Sequence, residues 1–90
     1  MYALVSADFP GVSTSQREEI YECLKENGWI KIKNVGRDIT TCWFAQFESY
    51  VTYRGILKAI ENDFGTCSYK YCRPRLVIQI GDNKPVEINL

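Results

Sequence analysis

The sequence predicts an α+β domain of the split βαββαβ, ferredoxin-like kind. It would be an antiparallel sheet with two helices on one face and an extra C-terminal edge strand. Two observations lead there. Apolar residues alternate with period two in several short runs and recur at helical spacing in two longer ones. These runs follow one another as strand, helix, strand, strand, helix, strand. The length then bounds the answer: 90 residues carry one core, so residues 1–90 form a single domain.

Tyr2 to Ala7 reads as the first strand, with Ala3, Val5 and Ala7 on one face and Leu4 and Ser6 on the other. Pro10-Gly11 breaks it just after Asp8. Thr14 to Asn27 reads as a helix. Ser13 caps it with Gln16 at the capping-box position, and Ser15 with Glu18 is a second candidate box. Ile20 and Leu24 form its inward stripe, and Glu18, Glu19, Glu22 and Glu26 its wet face. Asn27-Gly28 ends it, because glycine supplies the left-handed conformation just past a helix end.

Trp29 to Lys33 alternates, with Ile30 and Ile32 on one side and Lys31 and Lys33 on the other, which describes a half-buried strand. Asn34 to Asp38 makes the hairpin connection to a third strand, Ile39 to Phe47, rich in β-branched and aromatic residues. Tyr50 to Asp63 reads as the second helix, with Ile56, Leu57, Ile60 and Phe64 as its stripe and Gly65 as its C-terminal cap. Leu76 to Ile80 is a short central strand, Gly81 to Lys84 a turn, and Val86 to Leu90 a terminal edge strand.

Composition excludes several chemistries. There is no histidine, so no Ser-His or Cys-His pair and no imidazole base. Net charge is zero, which disfavours strong non-specific binding to nucleic acid. The charge is uneven, with acids in excess over residues 1–29 and bases over 30–58. No apolar run reaches the roughly 20 residues of a membrane span. The N-terminus lacks the basic and apolar regions of a signal peptide, so a cytoplasmic location is expected. Cys23, Cys42, Cys67 and Cys72 then read as reduced, buried or half-exposed thiols. An all-cysteine zinc site would need Cys23, on a helix, to meet three cysteines from other elements.

Four groups of residues invite a functional reading. Asp8 ends the first strand, where a carboxylate can hold Mg²⁺, an ion that keeps most of its waters; the plainer role is a turn residue before Pro10. Tyr69, Lys70, Tyr71, Arg73 and Arg75 form the densest mixture of bases and aromatics. Such a mixture suits a protein hot spot or single-stranded RNA. The third strand carries bulky groups on both faces, which marks Trp43, Phe44 and Phe47 as candidate dimer-interface residues. Lys31, Lys33 and Arg37 suit the wet side of an edge strand.

Three stretches together resemble the small ferredoxin-like proteins of CRISPR adaptation and toxin–antitoxin systems, a group that includes an antitoxin endoribonuclease. They are Met1 to Pro10 as a first strand ending in Asp, the helix closing on Asn27-Gly28-Trp29, and Thr40 to Phe47 as a third strand. The resemblance covers roughly the first 65 residues in layout. It implies a homodimer and, in nuclease members, a divalent metal linked to the residue matching Asp8. A symmetric pair would then supply a second Asp8. The expected function is a small homodimeric binding module acting through protein contacts in a defence, antitoxin or phage-inhibitor setting, with no cofactor. The alternatives are a Mg²⁺-dependent endoribonuclease using Asp8, or non-catalytic RNA binding through residues 69–75.

Overall fold

Alternating burial along the first seven-residue strand sets the frame: Ala3, Val5 and Ala7 are buried, while Ser6 and Asp8 are exposed. The computed structural model describes residues 1–32, 42–86 and 88. The elements run β1 (Tyr2–Asp8), α1 (Thr14–Glu26), β2 (Ile30–Ile32), β3 (Cys42–Gln46), α2 (Tyr53–Ser68) and β4 (Arg75–Gly81). The sheet order is β2-β3-β1-β4 and every neighbouring pair is antiparallel. This is the expected α+β arrangement, consistent with a ferredoxin-like fold. Among the described residues the strand expected to be central, β4, is an edge.

The end signals of α1 work as read. Ser13 Oγ accepts from the Gln16 backbone N–H, and Gln16 Oε1 accepts from the Ser13 N–H. Loss of such a cap costs about 1 kcal/mol. At the other end Gly28 takes φ 89°. The Gly28 N–H then donates to the Lys25 carbonyl and the Trp29 N–H to that of Leu24, a Schellman closure that swings Trp29 into the core.

Helix α2 differs from expectation at both ends. It starts at Tyr53 because Thr52 is the cap, its Oγ1 accepting from the Gly55 N–H. A Cβ at Gly55 would meet Thr52 Oγ1 at 3.2 Å and Val51 Cγ1 at 3.3 Å, which favours glycine there. Its end lies beyond Gly65, at Ser68, because Phe64, Cys67 and Ser68 are all buried. Ser68 Oγ donates to the Phe64 carbonyl within that last turn.

The longer α2 brings Cys67 against Cys23, and the two form a disulfide with Cα atoms 5.6 Å apart. This corrects the expectation of four reduced thiols. Cys42 and Cys72 are free.

The core lies between the helices and one sheet face. Trp43, Phe64, Ile20, Leu24, Ile56 and Ile60 are its largest fully buried members. Its aromatic rings meet edge to face: Trp43 with Phe64 at 5.7 Å, Trp43 with Tyr21 at 5.3 Å, and Trp29 with Phe64 at 5.0 Å. Trp29 Nε1 donates to Asp63 Oδ2 at 3.0 Å, satisfying its buried N–H.

Some expectations fall elsewhere. The hairpin over Asn34 to Asp38, the opening residues Ile39 to Thr41 of the third strand, Lys33 and Arg37 lie outside the described residues. Of the expected edge strand Val86 to Leu90, Val86 and Ile88 are exposed and belong to none of the four strands. Residues 87, 89 and 90 are outside the described set.

Candidate functional site

Both helices lie on one side of the sheet, so the ladders decide which side chains look away from them. Leu4 stands opposite Phe44, and Phe44 opposite Ile30. Ile32 stands opposite Cys42, which stands opposite Ser6, and Ser6 stands opposite Val77. Because side chains alternate, Ile30, Ile32, Phe44, Leu4 and Val77 share the face away from the helices. Ile30 is 54% exposed and Val77 75% exposed. The alternation in Ile30-Lys31-Ile32 shows that the two isoleucines travel together. Only the pairing register shows that they travel to the open side.

The register also sorts the three candidate interface residues. Trp43 stands opposite Val5 and is 1% exposed in the core. Phe47 is half-buried against that core, its ring 6.1 Å from Trp29. Of the three, Phe44 alone lies on the open face. Lys31 falls on the helix side opposite Trp43, with its ammonium 4.1 Å from the Tyr21 ring centre.

Directly after β4, residues Asp82 to Pro85 lie over the open face. Lys84 Nζ lies 5.7 Å from the Phe44 ring centre, two strands in from β4. A hollow of about 260 Å³ forms beside it, bounded by Tyr2, Leu4, Gln79, Asp82, Asn83 and Pro85. The residues of the expected turn, Asp82 to Lys84, and Pro85 after them therefore belong to this surface.

Asp8 is exposed at the end of β1, opposite Arg75 of β4. Burial first, and the negative charge of Asp8 second, hold the Cys72 thiol above its ordinary range. Cys72 is therefore a protonated thiol at neutral pH. Among the described residues no three His, Cys, Asp or Glu side chains converge in a way that could hold a metal ion. The arrangement supplies one carboxylate, a neighbouring thiol and a guanidinium.

The stretch from Tyr69 to Arg75 is split by the fold. Tyr69 is 71% exposed, and Lys70, Arg73 and Arg75 are exposed with it. Tyr71 instead packs on the core and donates its hydroxyl hydrogen to Glu19 of α1. That bond, with burial and the Glu19 charge behind it, raises the Tyr71 pKa. Its ring is held by the protein and is not free to stack on a base.

A second groove, of about 570 Å³, runs between α1 and β2. Glu18, Glu22, Lys25 and Lys31 line it over a floor that includes Trp29 and Trp43. Its charges alternate in sign, so it favours neither an anion nor a cation.

Among the described residues no helix is long and apolar enough to cross a membrane. Comparison with family models, with curated proteins and with solved structures found no match.

Proposed function

We propose that the chain is a small binding module that acts through protein–protein contacts, with the open sheet face as its contact surface and a homodimer as its working form. The observation that carries this reading is the apolar row Ile30, Phe44 and Leu4, with Val77 in the row beside it, on one side of the sheet, with Ile30 and Val77 left largely in water. Large apolar side chains left in water on one face are characteristic of contact sites. Each large side chain that a partner covers contributes about 1.5–3 kcal/mol before association costs.

The endoribonuclease reading rests on Asp8 and on a metal that a lone carboxylate would hold weakly. RNA contact through Tyr69, Lys70, Arg73 and Arg75 loses Tyr71 to its bond with Glu19. A defence, antitoxin or phage-inhibitor setting follows from the family resemblance alone. The expected cytoplasmic location pulls against the Cys23–Cys67 bond, since cytosolic thiols are held reduced. The mass of the chain isolated without reductant decides between the two.

Genetic replacement tests the reading. Ile30→Glu with Val77→Glu should abolish the phenotype that depends on the gene while the purified variant keeps its melting temperature. Asp8→Asn should retain that phenotype. The opposite pattern would favour chemistry at Asp8.

A further inference from the structure

The two edges of the sheet are built differently. Strand β2, described over Ile30–Ile32, carries Lys31, a charge of the kind that resists edge pairing. Strand β4 is seven residues long, and its central run Leu76-Val77-Ile78-Gln79-Ile80 has no charge, proline or glycine. It pairs with β1 on one side, and among the described residues no strand pairs with its other side. Past β4, Lys84 reaches over the open face to the Phe44 ring, and the described residues after Gly81 belong to no strand. Leu76, Ile78 and Ile80 pack against the core yet stay half-exposed. The edge thus presents a row of backbone donors and acceptors beside incompletely covered apolar side chains.

We infer that this edge is the site where a second copy of the chain docks, β4 against β4, antiparallel about a two-fold axis at Ile78. The inference rests on the homodimer part of the reading above and names its surface. The sequence of the strand is self-complementary in that register. Ile78 meets Ile78 of the second copy and Leu76 meets Ile80, so the helix-side apolar row continues from one core into the other. Val77 meets Gln79 on the open face. Arg75 falls opposite Gly81, one position from the second copy's Asp82, so the two guanidinium groups sit at opposite ends of the pairing beside opposite charges. The interface is isologous and closes on itself, leaving the β2 strands as the outer edges. The two open faces merge into one continuous surface, which is what the proposed contact function would use.

The pairing also fixes where the two Asp8 residues lie. Each stands opposite its own Arg75, and the two Arg75 residues are six positions apart along the paired strands. Strand spacing and rise then put the Asp8 sites roughly 24 Å apart, too far to share a metal ion.

Register-specific cross-linking tests the inference on the full chain, with Cys42→Ser and Cys72→Ser removing the free thiols. Val77→Cys together with Gln79→Cys should give a covalent dimer under mild oxidation, whereas Val77→Cys alone should give far less. Sedimentation of the unmodified chain should show a monomer–dimer equilibrium in the micromolar range. Ile78→Lys sets two ammonium groups against each other at the axis and should weaken the dimer by about tenfold or more. If that variant unfolds, the cysteine pair still reports the register. A dimer that forms but does not cross-link through the double-cysteine pair overturns the edge and leaves the homodimer reading standing. A monomer at high micromolar concentration overturns both, and an open-ended series of larger species contradicts the closed two-fold pairing.

Discussion

Trp43 and Phe44 are chain neighbours on opposite sides of the sheet: Trp43 fills the core opposite Val5, and Phe44 faces away from the helices opposite Leu4. The same strand therefore serves stability with one side chain and contact with the next. Trp43→Ala should cost about 3–5 kcal/mol and leave little folded protein at 37 °C. Phe44→Lys should fold, with a melting temperature within a few degrees of the parent, because its side chain is only half-buried and borders the end of the Lys84 side chain. Thermal denaturation of the two variants side by side checks this. Unfolding of the Phe44 variant would mean that the open face is itself core.

The disulfide carries a second expectation. Cys23 and Cys67 are 44 residues apart, and closing such a loop stabilises by roughly 4 kcal/mol in the chain-entropy account. Cys23→Ala, or reduction, should therefore lower the melting temperature by roughly 10–20 °C for a domain of this size, if about 3 kcal/mol is realised. Cys42→Ser and Cys72→Ser should not respond to reductant in any further way. An unchanged melting curve in dithiothreitol would show that the bond contributes nothing.

How much of this was legible in the sequence depends on whether a feature is local. The capping box at Ser13 and Gln16, the Asn27-Gly28 stop and the order of elements were readable, since each is settled by residues within a few positions. The end of α2 was not, because Gly65 reads locally as a cap and is overruled by burial of Phe64, Cys67 and Ser68 against other elements. The side taken by Ile30 and Ile32 depends on register with β3, which no local pattern gives. For the same reason the dimer candidates mixed core with surface: Trp43, Phe44 and Phe47 look alike in sequence, and the sheet parts them.

Tyr71 and Glu19 give the protein a response to alkaline pH. The hydrogen bond to Glu19 comes first among the causes that raise the Tyr71 pKa, followed by burial and the Glu19 charge. A raised value means that the folded state holds the proton more tightly than the unfolded chain does. The contribution is thus complete below the ordinary tyrosine value of about 10 and is lost as pH rises through the folded value. Tyr21 is shifted the same way by burial, partly offset by Arg17. Tyr71→Phe should flatten the decline of stability in the alkaline range, measured as urea midpoint against pH. An identical decline in parent and variant would contradict the tether.

The corner at Asp8 makes a chemical prediction. The Cys72 thiol is held protonated by burial and by the Asp8 charge, so removing that charge should raise its thiolate fraction. Asp8→Asn in a Cys42→Ser background should react faster with iodoacetamide at pH 8 and should leave the melting temperature nearly unchanged. An unchanged alkylation rate would place Asp8 away from the thiol. Loss of a Mg²⁺-dependent RNA cleavage in the same variant would restore the nuclease reading.

The central claim is that the open sheet face meets a protein, and photo-cross-linking in the native cell tests it most directly. A photoreactive residue at position 77, on that face, should give a discrete adduct with a protein, either the chain itself or a defined second species. The same residue at position 22, on the outer side of α1, should give little. An adduct at 77 with a second species, as distinct from the chain's own second copy, should disappear when Ile30→Glu is added. Equal labelling from both positions, or adducts at 77 that ribonuclease removes, would contradict the account.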